Sequence, residues 1–494
     1  MATQSPGAGS RVAKNAVWSV AGLVVPAFVA LITIPFLISK LGLERFGLLA
    51  LIWMGVGYFS LFDMGIGRAL NQQISTRLAH GHTDRLSTLV RTGVWTLAAL
   101  GTLASVLVGL LAPWLVNSIL RIDPSLQRDA VLAIWVLAAS LPAVLLSTGQ
   151  VAVLEGFQQF RSVALVRIPL GISNFVMPAL VSVVSQSLAD ITLSLILARL
   201  ITIVTLRKLI QQQLSTFEQA TQFDWSLLSG LLRFGGWITV SSLVSPVLVY
   251  FDRFFISAIR GLEAVAHYVT PFELLSRLTM LPQAIMAALF PALTQAIASA
   301  SPNVASLAEG AGRVMLLALL PITLCFAMFP GELLTLWLGE EFSEHSSSVV
   351  RLLSAGIMVN TLARVPFTAL HSAGRADVTA MIHLVEVVPY LLTLWWAVSH
   401  YGAAGAALAW LLRVSVDCLI LWKAAARHIP ALAAQAARFS LLAFVLGPMV
   451  ALSSQTGDLF VRLALWLAIL LVCSYLLYRM LASTLKTRFR NKEE

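Results

Sequence analysis

Apolar residues in this chain gather in long runs and do not alternate with polar ones. Runs of spanning length fall near residues 16–38, 46–67, 92–114, 130–152, 165–184 and 190–206. A second set falls near 234–258, 266–291, 313–337, 349–370, 378–398 and 403–422, and a last pair near 439–455 and 461–481. A helix of about 20 apolar residues crosses the roughly 30 Å hydrocarbon core of a bilayer. No water reaches backbone groups there, so a helix, which bonds them internally, is the expected conformation. The pattern predicts an all-α polytopic membrane protein with about fourteen transmembrane helices.

Composition agrees. Hydrophobic residues make up 58% of the chain and charged residues 11%, with a mean hydropathy of +0.86. A soluble domain carries roughly 25% charged residues. The net charge of +10 could suggest nucleic acid, but its placement argues against that partner. With the N-terminus inside, about 21 basic residues fall in cytoplasmic segments and about seven in outer loops or at outer helix ends, the asymmetry of the positive-inside rule. An even helix count and two cytoplasmic termini follow together. The expected location is a membrane, with the basic segments on its cytoplasmic side. Cys325, Cys418 and Cys473 all lie in apolar runs and read as small buried hydrophobes, neither a disulfide framework nor a metal site. The first apolar run is longer than the core of a signal peptide and reads as a retained helix.

The loops are short. The longest inner one, "RKLIQQQLSTFEQATQFDWSLLSGLLR", reads as an amphipathic surface helix before re-entry at Phe234. No Gly-x-x-x-x-Gly-Lys phosphate loop is present. An internal repeat matches "FLISKLGLERFGLLAL" with "FFISAIRGLEAVAHYVT", aligning Gly42-Leu43-Glu44 with Gly261-Leu262-Glu263. Farther on, "VLEGFQQFRSV" sits like "ALHSAGRADV". The expected organisation is an N-terminal six-helix lobe (1–210), a second six-helix lobe (211–430) and a C-terminal hairpin with a basic cytoplasmic tail (431–494). Two pseudo-symmetric lobes around a central cavity are a transporter architecture.

Ionisable groups at bilayer depth are costly and by default face a cavity or one another. The candidates are Asp63, Arg199, Asp252, Arg253, Glu273, Arg277, Arg364, Glu386, Arg413 and Asp417. Glu273 with Arg277, and Arg413 with Asp417, have the i,i+4 spacing of a helical ion pair. Arg253 and Arg364 have no carboxylate at i±3 or i±4, and Asp252, adjacent to Arg253, is expected to point elsewhere on its helix. The bland alternative is self-neutralising pairs and snorkelling arginines. The chemical alternative follows from the guanidinium, whose planar fork binds phosphate in a bidentate way and stays charged. A cavity lined by Arg253, Arg277, Arg364 and Arg413 would take an anionic head group such as a pyrophosphate. Asp63, Arg68, Asp252, Glu273, Glu386 and Asp417 are candidates for a gate or for coupling to H+ or Na+. In "SLFDMGIGRAL" Gly65 and Gly67 weaken the helix between Asp63 and Arg68, so it is expected to fray there as a helix end or an inner gate.

"YFSLFDMGIGRALNQQIS" after "LGLERFGLLAL" resembles the start of the polysaccharide flippases of the multidrug/oligosaccharidyl-lipid/polysaccharide exporter superfamily. "YFDRFFISAIRGLEAVAHYVTPFELLSRLTMLPQAIMAALFPALTQ" resembles the start of their second half. The resemblance covers roughly residues 11–430 and implies alternating access, with no catalytic residue and no bound cofactor. It implies a bacterial cytoplasmic (inner) membrane location and a polyprenyl-pyrophosphate-linked glycan as substrate, destined for O-antigen, capsule or exopolysaccharide. It also implies a polysaccharide polymerase and chain-length proteins as partners, and charge at Arg253 and Arg277. Fourteen helices also resemble the peptidoglycan-precursor branch, although the first helix here holds no arginine after Arg11 and Lys14. A cation-coupled drug exporter of the same superfamily would prefer acids in its cavity. A membrane glycan polymerase or transferase would need a larger outer loop than this chain offers.

Overall fold

The computed structural model describes residues 8–59, 63, 65–79, 84–120, 122–215, 223–229, 248, 250–453 and 457–493, with the side chains at 8–24, 27, 287, 288, 291, 481 and 483–493 left aside. Outside them lie Arg121, Arg233, part of the expected surface helix and most of the expected helix 234–258, as do the side chains of Arg11, Lys14, Lys486, Arg488, Arg490 and Lys492. The described residues are helices joined by short turns, with no strand. Nine of these helices are long and apolar enough to cross a membrane. The fold is thus an all-α, multi-pass membrane architecture. The chain divides into two compact units, Met1–Ala266 and His267–Glu494.

The first unit holds α1 (Ala8–Phe59), α2 (Ile66–Ala79), α3 (Leu86–Trp114), α4 (Pro124–Gly156), α5 (Phe160–Val184) and α6 (Leu188–Leu214). Helix α7 covers 250–260, and α8 (Leu262–Ser276) begins in this unit. Helix α1 contains two of the expected spans, divided where Gly42 adopts φ 77°. Of the expected run 46–67, α1 covers the part up to Phe59 and α2 begins at Ile66. Most helices outrun their apolar runs because polar residues at the interfaces, such as Arg207 and Lys208 on α6, continue the same helix. Ile66, Leu70 and Ile74 put one face of α2 against Leu89 and Leu97 of α3, Val153 of α4 and Leu206 of α6. Helix α4 starts with Asp123 as N-cap and Pro124 in its first turn, the residue types a helix start favours. The Asp123 carboxylate accepts from the Ser125 N–H at 2.8 Å, and the Ser125 hydroxyl and amide together hold that carboxyl below its usual range.

In the second unit α8 passes through a tight 3-10 turn at Arg277–Thr279 into α9 (Met280–Ala298). Then come α10 (Asn303–Met328), α11 (Pro330–Leu338), α12 (Glu340–Ser372), α13 (Ala376–His428), α14 (Ala433–Leu452) and α15 (Leu459–Glu493). The expected run 313–337 is divided at Phe329–Pro330, because proline lacks the N–H that would continue α10. Helix α12 is the hub of this unit: 72% of its apolar window is buried, against 6% for α15, whose face is left to lipid. Helix α13 is two expected spans, divided at Gly402 with φ 58°. A Cβ on Gly405 would lie 2.0 Å from the Ala397 carbonyl oxygen. Residues eight apart on a straight helix are separated by about 12 Å, so α13 turns back on itself at this point. Small residues let the two halves approach backbone to backbone.

One turn is drawn twice. After α4, the N–H groups of Phe157, Gln158 and Gln159 donate to the carbonyls of Val153, Glu155 and Leu154. After α12, those of Ala373, Gly374 and Arg375 donate to Ala369, His371 and Leu370. Gln158 and Gly374 both take positive φ, 58° and 73°. These are the two segments that the sequence repeat aligns.

Candidate functional site

Three helical faces of the second unit meet at a polar cluster inside the membrane-spanning part. On α12, Arg364, Phe367 and His371 have the i, i+3, i+7 spacing of one stripe. On the first half of α13, His383, Glu386 and Tyr390 have the same spacing, and on its second half Arg413 and Asp417 are i,i+4. The reversal at Gly402 brings the two halves together. Arg413 Nη1 lies 3.7 Å from Glu386 Oε2, and His383 Nε2 lies 3.5 Å from Asp417 Oδ1. The Arg413 guanidinium also lies over the Tyr390 ring, 5.6 Å from its centre, in a cation–π contact. Phe367 stacks on His371 at 4.3 Å and on His383 at 6.0 Å, joining α12 to α13. His371 Nε2 meets the Thr379 hydroxyl at 2.9 Å.

Burial gives these contacts their meaning. The side chains of Glu386, Arg413 and Asp417 are 7%, 11% and 12% exposed. Both Glu386 oxygens, Asp417 Oδ1 and Arg413 Nε have no hydrogen-bond partner among the described residues. Their ion-pair contacts, at 3.7 and 3.5 Å, form no hydrogen bond. Leaving a buried carboxylate without a hydrogen bond is costly, and a site that does so keeps lone pairs available for a proton or a small cation. Glu386 lies ten residues into α13, about 15 Å along the helix axis, near the depth of a bilayer midplane. Arg364 is partly buried and feels the charge of Asp417.

The sequence pairing of Arg413 with Asp417 is corrected here. Each takes a partner across the hairpin, Glu386 and His383, instead of one on its own helix turn. The pairing of Glu273 with Arg277 does form, at 3.3 Å, on a half-exposed surface. Asp252 was expected to point away from Arg253 and does not. Its Oδ1 accepts from the Arg253 N–H at 2.8 Å and lies 3.5 Å from Nη1, with both side chains 1% exposed. The arginine stem is long enough to fold back over its neighbour. Arg253 also lies over Tyr250, 5.1 Å from the ring centre.

Asp63 sits just ahead of α2. Its Oδ1 accepts from the Gly65 N–H at 2.9 Å and its Oδ2 from the Gly67 N–H at 3.0 Å. It therefore works as a cap, closing the donors a helix start leaves open. Arg68, in the first turn of α2, is exposed, and Arg199 lies half-buried on α6. The sequence reading missed His371, His383 and Tyr390. Their signal was present as the stripe that each shares with Arg364 or Glu386.

Comparison with known proteins first defines the class. The fold matches that of "Lipid II flippase MurJ, inward closed conformation", with a TM-score of 0.68 at 13% identity, over 94% of this chain and 99% of that one. It also matches an inward-facing multidrug resistance MATE family transporter of the MOP superfamily, with a TM-score of 0.65 at 14% identity, over 89% and 96%. These identities establish the fold alone, an all-α polytopic membrane fold. The sequence profile of the family described as "Polysaccharide biosynthesis protein" matches residues 12–297. The "Putative O-antigen transporter" of Shigella flexneri is 32% identical over 417 residues, covering 83% of this chain and 96% of that protein. The chain belongs to the polysaccharide biosynthesis protein family of membrane transporters.

Proposed function

We propose that this chain is a flippase that carries polyprenyl-pyrophosphate-linked oligosaccharide units across a bacterial inner membrane by alternating access, with both termini cytoplasmic. The similarity to an O-antigen transporter over 83% of the chain carries this reading. The product would feed a polysaccharide polymerase and its chain-length proteins on the far side. The six-helix lobes 1–210 and 211–430 and the hairpin 431–494 remain its proposed working parts.

The α12–α13 cluster supplies a coupling mechanism. With both carboxylates ionised, Glu386 and Asp417 balance Arg413 and Arg364. A proton or Na+ taken up by the carboxylates leaves the guanidiniums in excess, and a pyrophosphate can then engage them as bidentate donors. Cation and anionic head group thus help each other bind, and linkage makes the effect reciprocal. Head-group affinity is expected to rise as pH falls if the ion is H+, or as Na+ rises if it is Na+. Arg253 and Arg277 keep their proposed roles as further charge for the head group.

The test is deletion of the gene in its native host, scored for surface polysaccharide and lipid-linked intermediates. Loss of polymer, with polyprenyl-linked units held on the inner leaflet, is the expected result. Unchanged polysaccharide with new sensitivity to cationic dyes would overturn the reading in favour of a drug exporter.

A further inference from the structure

A separate cavity of about 800 Å³ lies in the second unit, among α10, α14 and α15. Its polar end carries Arg313, Arg438 and Arg479. Its wall is apolar and mostly leucine, with Leu317 on α10, Leu442 on α14 and Leu476 on α15, beside Phe439 and Met480. The sequence explains why the two ends separate so cleanly. Helices α10 and α14 both read Arg-x-x-Leu-Leu, as "RVMLL" from Arg313 and "RFSLL" from Arg438. Helix α15 carries the reversed order, "LLYR" ending at Arg479. The leucines thus lie about one turn from each arginine along every helix, all toward the same end of the cavity.

The arginines are held in place. The Arg313 and Arg438 guanidiniums both donate to Glu309 Oε1, the second at 3.5 Å, and Gln435 Nε2 donates to Glu309 Oε2 at 3.5 Å. Arg479 lies 5.9 Å from the Tyr475 ring centre. One glutamate against three arginines leaves two positive charges at one end of a leucine-walled groove. Arg313 and Arg438 are 61% and 67% exposed, so their remaining donors are presented outward.

We infer that this groove binds an anionic phospholipid, with its phosphate on Arg313, Arg438 and Arg479 and an acyl chain along Leu317, Leu442 and Leu476. Basic pockets between membrane helices recognise lipid phosphates in this way. A free phosphate would have no use for the leucine wall, and a zwitterionic lipid would bring no net charge to the arginines. None of these residues belongs to the α12–α13 cluster, so the inference stands apart from the transport mechanism.

The test is native mass spectrometry of the purified full chain, with phosphatidylglycerol or phosphatidylcholine added in turn. Wild type is expected to retain phosphatidylglycerol over phosphatidylcholine, and millimolar inorganic phosphate should not displace it. Each of Arg313→Ala, Arg438→Ala and Arg479→Ala should lower retention about fivefold, the effect of one basic residue near a membrane surface. Leu442→Trp, which fills the groove and keeps every charge, should lower it as well. Gel filtration and thermal unfolding identify a variant that misfolds, and Arg479→Ala, which leaves the Glu309 network intact, then decides. Equal retention of both lipids would overturn the inference, as would retention unchanged by Arg479→Ala and Leu442→Trp. Displacement by inorganic phosphate would overturn it too. So would retention of a polyprenyl pyrophosphate in place of phosphatidylglycerol, which would make the groove part of the substrate path.

Discussion

Each unit of the chain buries carboxylates, and the two settings differ in what closes them. In the first unit both Asp63 oxygens are taken by the Gly65 and Gly67 amides. In the second, Glu386 lies 3.7 Å from Arg413 and Asp417 3.5 Å from His383, and three of their four oxygens are buried without a hydrogen bond among the described residues. A carboxylate that accepts a backbone amide of its own turn on each oxygen already has a hydrogen bond at both, as a helix cap does, and its work reads as structural. A carboxylate held at arm's length from a guanidinium can change partner when a cation or a phosphate arrives. Burial alone does not separate the two kinds, since Asp63 and Glu386 are 8% and 7% exposed.

Substitutions at four positions test that contrast, from the largest expected effect down. Glu386→Gln should leave insertion intact and lower flipping in proteoliposomes by about 5- to 150-fold, the range of a typical coupling free energy. It should also flatten the dependence on pH or Na+. Full activity with the dependence retained would move coupling to another group. Gly405→Val should cost about 1–3 kcal/mol by overpacking, measured by thermal unfolding in detergent, because the α13 halves would have to part. It should also weaken coupling if the cluster depends on that hairpin. Asp63→Ala should cost about 0.5–2 kcal/mol of stability, as lost caps do, while Asp63→Asn should be nearly neutral because asparagine caps well. Equal loss of transport in both, with stability unchanged, would make the Asp63 charge functional and erase the contrast. Arg277→Ala breaks a half-exposed pair and should cost only about 0.3–0.5 kcal/mol. A large loss of export in that variant would therefore report on the substrate and not on folding.

Local chemistry was legible along the chain. The all-helical, membrane-crossing character was readable because every segment that crosses a bilayer must be apolar and must satisfy its own backbone. The Glu273–Arg277 pair was readable because i,i+4 spacing on one helix places the two side chains together wherever that helix sits. The proline that ends α10 and the aspartate–proline that opens α4 act through their own backbone.

The cluster was only partly legible. Its charged members stand out in an apolar chain because charge at that depth is expensive. Spacing assigned Arg413 to Asp417, and the structure gives it to Glu386, 27 positions earlier. The histidines were passed over because nothing in the sequence says that Phe367 of α12 will bridge His371 to His383 of α13. Sequence by itself determined which residues share a helical face, since the period of the helix is a property of the backbone. Tertiary structure decided which faces meet, through the turn at Gly402 and the close approach that Gly405 permits. That choice is made by packing between helices, and no local rule contains it.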